Sequence, residues 1–218
     1  MTIYSPPPTR MELLGIKRRI VLYERIHRIL KLKLEGLIIE AQKQIEVLAG
    51  EKKALARGYL ASQDILVEAV MIEGEHELSL AAYAVEGEPL ISVTSRNLLG
   101  VLLPAIEGKD VHKNAVRRGY GILGTTPLVD QTSGAFENLL EEVIRTAGTE
   151  TRVKLLLKEI ERTRLIVNSL EYRLIPDLYD ARQRGELFRD ELEREEYTRL
   201  FRIKKAKKRR ELSPRSER

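Results

Sequence analysis

The stretch Val167-Asn-Ser-Leu-Glu-Tyr-Arg-Leu-Ile-Pro-Asp-Leu178 decides the fold, because it contains a contradiction. Val167, Leu170, Leu174 and Leu178 recur at helical spacing and mark one apolar side. Pro176 stands among them, although proline lacks the backbone donor and crowds the carbonyl four residues back. Asn168 and Ser169 are weak helix formers. The steps 170 to 174 and 174 to 178 are both four residues, a stutter that locally unwinds a left-handed coiled coil. A helix that passes through this point therefore has a place to change its winding and to bend.

The helical pattern extends in both directions. N-terminal to the stretch it runs back through Thr163, Ile160, Leu156 and Val153 to the neighbourhood of Ser133-Gly134. C-terminal to it, the seam is expected at Leu178, Ala181, Gly185, Phe188 and Leu192. A second seam lies at the start of the chain. Pro6, Pro7 and Pro8 cannot extend a helix backwards, and Thr9 with Glu12 three residues later suits a capping box. From there to about Glu73 there is no proline. Leu13, Ile16, Ile20, Tyr23, His27, Leu30, Leu34, Leu37, Ala41, Gln44 and Leu48 keep a 3-4 spacing, the signature of a coiled coil. At about 1.5 Å per residue this helix would span about 95 Å. Gly15, Gly36, Gly50 and Gly58 each weaken it by about 1 kcal/mol relative to Ala, so a partner helix is implied.

Between the seams the pattern changes. His76–Val93, HELSLAAYAVEGEPLISV, reads as two short strands around the turn Glu86-Gly87-Glu88-Pro89. Glycine and proline then cluster from Gly100 to Pro127. The expected division is a long helix over 1–73, a loop-rich insert with a β-hairpin over 74–132, a second long helix over 133–210 and a disordered tail over 211–218. The fold class is mainly α: a long antiparallel two-helix coiled coil with a small insert. If the helices end together, residue i faces roughly residue 220 − i, and cysteines at Leu30 and Asp190 would bridge.

Composition agrees. Charged residues make up 33% of the 218 and aromatics only 5%, which suits long helices with Leu and Ile seams better than a large globular core. Net charge is +3 over 1–73, −4 over 74–149 and +6 over 150–218, so the ends resemble each other and the middle differs. With no cysteine, disulfides and thiolate metal sites are excluded. No apolar run approaches the roughly 20 residues that span a bilayer, and MTIYSPPPTR lacks the apolar core of a signal peptide. The expectation is a soluble chain, held to a membrane only through partners.

Chemical motifs are few. GYGILG (119–124) has no GxxxxGK[ST] and no strand-to-helix setting, so nucleotide binding is rejected. His27 has no second ligand at helical spacing and reads as a boundary residue; His76 and His112 read as solvated. No nucleophile–base or paired-carboxylate set emerges, so catalytic, metal and cofactor residues are expected to be absent. RIKKAKKRR (202–210) is a basic run whose plain reading is a solvated helix end. Nonspecific binding of nucleic acid is the alternative, weakened by the lack of interleaved aromatics.

PTRMELLGIKRRI (8–20), ERIHRILKLK (24–33), GYGILGTT (119–126), ETRVKLLLKEIERTRLIVNSLEYRLIPDL (150–178) and EREEYTRLFRIKK (193–205) resemble the D subunit of the archaeal and vacuolar type rotary ATPases. Gly36 departs from the pattern, standing where a helix former is expected. The resemblance implies a central rotor shaft. One end stands in a ring of catalytic A and non-catalytic B subunits. The other rests on the membrane rotor through the C subunit (d in vacuolar enzymes), and a small F subunit clasps the shaft. It implies a peripheral place on the cytoplasmic side of the membrane, ion transport coupled to ATP synthesis or hydrolysis, and chemistry confined to other chains. The coupling ion, H⁺ or Na⁺, is not written in this chain. The contact residues it implies are Arg10, Met11, Leu14, Arg202, Lys204 and Lys205 within the ring, and Glu171, Tyr172 and Pro176 at mid-shaft. Two other readings stay open: a plain coiled-coil tether, and a basic-tailed nucleic-acid binder.

Overall fold

The computed structural model describes residues 9–85, 89–113, 118–120 and 126–212, with residues 210–212 described by backbone alone. It is mainly helical. Helix α1 is Arg10–Glu73 and α2 is Glu75–Ala84. Strands β1, Leu90–Leu98, and β2, Val101–Lys109, form an antiparallel pair. Helix α3, Pro127–Ser169, passes through a π-helical turn, Leu170–Leu174, into α4, Ile175–Leu212. Contacts gather the chain into two compact units. One comprises the residues up to Leu32 with those from Thr163 onward; the other comprises Lys33–Arg162.

In the first unit, the Thr9 hydroxyl accepts the Glu12 backbone N–H at 3.3 Å, the first half of the expected capping box. Leu13, Ile16 and Ile20 bury their side chains, as do Thr163, Val167 and Leu170. Three polar ties run along the flank of this pairing: Arg10–Glu193 at 3.4 Å, Lys17–Glu186 at 2.8 Å, and the Tyr179 hydroxyl donating to Glu24 at 2.6 Å. They step by seven residues on each side, as an antiparallel heptad pair requires. The residue numbers of each pair add to 203, which corrects the expected register of 220. An apolar seam alone slides freely by heptads; the charged flanking positions select the register. As a result α4 continues past the last cross-helix tie, at Glu193, for more than a dozen residues.

The contradiction at Pro176 is resolved by the π turn. The Ile175 N–H donates to the Leu170 carbonyl, five residues back, and the widened turn comes immediately before the proline that has no N–H to give. The stutter and the proline thus share one irregularity. Beyond it Leu178, Ala181 and Gly185 are half-buried as expected, and the seam departs only at the two later positions. Phe188 and Leu192 are 46% and 41% exposed, whereas Arg189 and Glu193 are the half-buried residues and lie 3.7 Å apart.

In the second unit, all the expected seam positions from Leu34 to Leu48 are buried or half-buried. The tightest packing joins Leu37 and Leu156, both 0% exposed, with Ala41 and Leu103. Leu103 belongs to β2, so the hairpin lies on the two-helix seam. This explains Gly36: a Cβ there would stand 3.1 Å from Leu99 Cδ1, at the hairpin tip. Lys33–Glu159 at 2.9 Å and Lys52–Glu150 at 3.2 Å flank the seam. Ser62 and Thr149 are buried but satisfied, each hydroxyl donating to the carbonyl four residues back.

The insert departs from expectation in three places. The first expected strand is helix α2: Glu75 and Glu77 occupy its first turn and Ala81, Ala82 and Ala84 favour helix, so the apparent alternation at Leu78 and Leu80 misleads. The hairpin sits further along. Its turn is Leu99-Gly100, with φ of 50° and 84°, the left-handed pair of a two-residue type I′ turn. Of the expected turn at 86–89, residues 86–88 lie outside the described residues. The third helix starts at Pro127, earlier than Ser133. Residues 213–218 of the expected tail also lie outside the described residues, while Glu211 and Leu212 close α4.

Candidate partner-contact surfaces

Among the described residues no group of three or more His, Cys, Asp or Glu side chains could hold a metal, and no described helix is long and apolar enough to cross a membrane. Exposed apolar and basic side chains are the features that remain.

In the first unit the expected contact residues lie at two places, while Val21, Leu32, Leu165 and Leu187 are further exposed apolar side chains elsewhere in it. Helix α4 beyond Glu193 carries Tyr197, Leu200, Phe201 and Ile203, all more than 60% exposed. Arg202, Lys204 and Lys205 are exposed beside them. At the start of α1, Met11 and Leu14 are exposed, and Arg10 reaches across to Glu193 while remaining largely in water. The expected ring-contact residues thus fall at one end of the same paired segment. Sequence reasoning missed Tyr197, Leu200 and Phe201 as exposed apolar side chains. The signal that marks them is the 203 register, which leaves them without a facing helix among the described residues.

The second place is the π turn. Glu171, Tyr172 and Pro176 are exposed, while Leu170 points inward. Glu171 Oε2 lies 3.4 Å from His27 Nε2, which is buried and outside hydrogen-bonding geometry. His27 is therefore a boundary residue with one acidic neighbour, at 17% side-chain exposure.

Flanking ties have modest electrostatic consequences. Hydrogen bonds from Lys17 and Arg182 hold the Glu186 carboxyl below its usual range, and the Tyr179 hydroxyl is pushed up by its bond to Glu24. In the second unit, Lys154 and Lys52 hold the Glu150 carboxyl down in the same way.

The second unit also contains a charge cluster. Arg118 donates to both Glu137 oxygens, at 3.1 and 3.0 Å, and to Asp130 Oδ1 at 2.9 Å. The Tyr120 hydroxyl donates to the same Asp130 oxygen at 2.8 Å. Chiefly through its bond to Glu137, and against the effect of burial, the guanidinium is held even further above its ordinary range. The cluster forms one wall of a cavity of about 760 Å³ that is also lined by Leu66, Val70, Leu78 and Phe136, with Glu75, Ser79 and Thr132 among them. His112, read as solvated, is half-exposed and lies 3.1 Å from Glu141. The expected non-nucleotide loop GYGILG is described only at Gly119 and Tyr120; 121–124 lie outside the described residues.

The chain matches known proteins over most of its length. The family model for the ATP synthase D subunit matches residues 12–205. The chain is 42% identical to the A-type ATP synthase D subunit of Methanoregula boonei, over 96% of this chain and 99% of that one. It is 40% identical to the D subunit of Haloquadratum walsbyi, covering 92% and 85%, and 36% identical to that of Methanosarcina mazei, covering 90% and 94%. A model match across nearly the whole chain, with relatives that align along most of their own length, leaves one conclusion: the chain belongs to the D-subunit family of ATP synthases.

Proposed function

We propose that this chain carries torque between a membrane ion rotor and the ATP-handling ring of an A-type ATP synthase, as the rotor shaft. As a member of the D-subunit family it is a central-stalk component of that complex. In this reading it is non-catalytic and binds no cofactor. In its division of labour 1–73 and 133–210 make the shaft, 74–132 the insert, and 211–218 a tail. The proposed partners are the A and B subunits of the ring, a small F subunit, and the C subunit that joins the membrane rotor. It works on the cytoplasmic side of the membrane, attached through these partners.

The observation that carries the reading is the end of α4. Past its last tie to α1 it exposes Tyr197, Leu200, Phe201 and Ile203 among basic side chains. Such a surface favours a sheath of partner protein that covers apolar side chains and meets the basic ones with weak, exchangeable ion pairs, each worth about 1 kcal/mol or less. Rotation needs contacts that differ between ring positions without being tight at any one. The π turn, with Glu171, Tyr172 and Pro176 exposed, offers a bend that would make such contacts unequal.

The test begins with an affinity-tagged chain purified from a nuclease-treated detergent extract of its own organism. Two large ATPase subunits and a small one should copurify. A cysteine at Met11 or Ile203, cross-linked to the ring, should stop ATP turnover, and reductant should restore it. Recovery of nucleic acid or of unrelated proteins alone would favour the binder or tether readings.

A further inference from the structure

We propose that the outer edge of β1 receives an extended strand from another subunit of the same complex, which makes the hairpin a three-stranded sheet. The inference rests on the chain working inside a synthase complex.

The backbone supplies the first argument. β1 and β2 pair one-to-one over nine positions, from Leu90–Lys109 to Leu98–Val101, without a bulge. In a two-residue type I′ hairpin the pair that flanks the turn is hydrogen-bonded. Hydrogen-bonded and non-hydrogen-bonded pairs then alternate. Leu90, Ser92, Thr94, Arg96 and Leu98 therefore direct N–H and C=O toward β2, and Ile91, Val93, Ser95 and Asn97 direct theirs outward. Pro104, opposite Ser95, fits this phase, because its nitrogen lacks a hydrogen and falls on the far edge of β2.

The two edges are protected unequally. β2 has Pro104 on its outer edge and Leu103 in the core. β1 has no proline, no bulge and a single charge, Arg96. Natural sheets blunt long free edges with such devices or cover them. Among the described residues no strand lies beside this one. Ile91 and Val93 are 57% and 64% exposed. They share a face with Ile106, which packs on α3 where a Cβ at Gly148 would stand 3.4 Å away. A third strand with apolar residues beside Ile91 and Val93, and a polar or acidic one near Arg96, would extend that layer.

Size identifies the occupant. Nine residues at about 3.3 Å each, with side chains reaching about 10 Å, offer roughly 300 Å². A free-standing interface uses about 800 Å² per partner. The edge is too small to hold a second copy of this chain by itself. It suits a protein already held elsewhere on the chain, for which the second contact forms at millimolar effective concentration.

The test is residue-resolved hydrogen exchange on the isolated full chain and on the purified complex. The outward amides of Ile91, Val93, Ser95 and Asn97 should exchange at least about tenfold more slowly in the complex, while those of Ser92, Thr94 and Arg96 change little. Ser95→Pro removes one outward donor and leaves the ladder to β2. It should reduce protection of Val93 and Asn97 in the complex while Thr94 stays protected. Unchanged outward amides in an intact complex would overturn this inference alone. Protection that appears in the isolated chain as its concentration rises would assign the edge to a second copy and overturn it too. Failure to recover synthase subunits would remove the functional reading and this inference with it.

Discussion

Replacing Arg118 by Met would test whether the insert is held by its charge cluster. Arg118 and Glu137 have only 11% and 16% of their side chains exposed and are joined by two short bonds, with a third from Arg118 to Asp130. Breaking a fully buried pair costs about 3–5 kcal/mol because the remaining charge is left unpaired. Here some water reaches both groups, and His112 stands 3.8 Å from Glu137. The expected loss is therefore about 2–3 kcal/mol. For a chain of this length it corresponds to a fall of roughly 5–10 °C in the melting temperature of the transition that includes the insert. Arg118→Lys keeps the charge but loses the two-pronged geometry, so it should fall between wild type and Met. Arg118→Met combined with Glu137→Met removes both charges and should recover to within about 1 kcal/mol of wild type. Calorimetry and denaturant titration of the full chain would read all three. A loss below about 1 kcal/mol for Arg118→Met, or a double variant no better than the single, would refute the reasoning.

Three further outcomes are expected. Cysteines at Leu13 and Gly185 should form a disulfide under mild oxidation, since a Cβ at Gly185 stands 3.2 Å from Leu13 Cδ1. The pair at Leu30 and Asp190 should not, because Asp190 lies about 25 Å along the helix from the residue facing Leu30, against a limit of about 7 Å between bridged Cα atoms. The flanking ties predict a pH window for the first unit. Glu186 is depressed, so its contribution is present above its ordinary value of 4.5 and is lost as pH falls below it; Tyr179 is raised, so its contribution is present below 10.0 and is lost as pH rises above it. Thermal melts should be flattest between those limits, and Glu186→Gln should soften the acid limb. Finally, Phe201→Ser with Ile203→Ser should leave the melting temperature within about 1–2 °C, since both side chains are already in water. It should nevertheless weaken retention of the ring in the purified complex; unchanged retention would contradict a sheathed α4 end.

Periodicity by itself determined the two long helices, their buried faces and the irregularity before Pro176. Each follows from local facts: side-chain spacing, a missing N–H, and two successive four-residue steps. The residues of Leu13–Leu48 and Val153–Leu174 chosen for the seam are the ones that lose their water. Family membership was legible too, because blocks such as VNSLEYRLIP combine several residue types at fixed spacing. Register was not. A repeating seam fits its partner at every heptad, and only the meeting of Arg10, Lys17 and Glu24 with Glu193, Glu186 and Tyr179 selects one alignment. That alignment is what carries Tyr197, Leu200 and Phe201 past the start of α1. The insert was legible only in part, since Glu75–Ala84 alternates like a strand yet is built from helix formers, and Val101–Lys109 hides a strand behind a proline and a glycine. Its form depends on packing: Leu103 enters the seam between Leu37 and Leu156, and Gly36 leaves room for Leu99. Such contacts join residues far apart in the chain, and no local propensity encodes them.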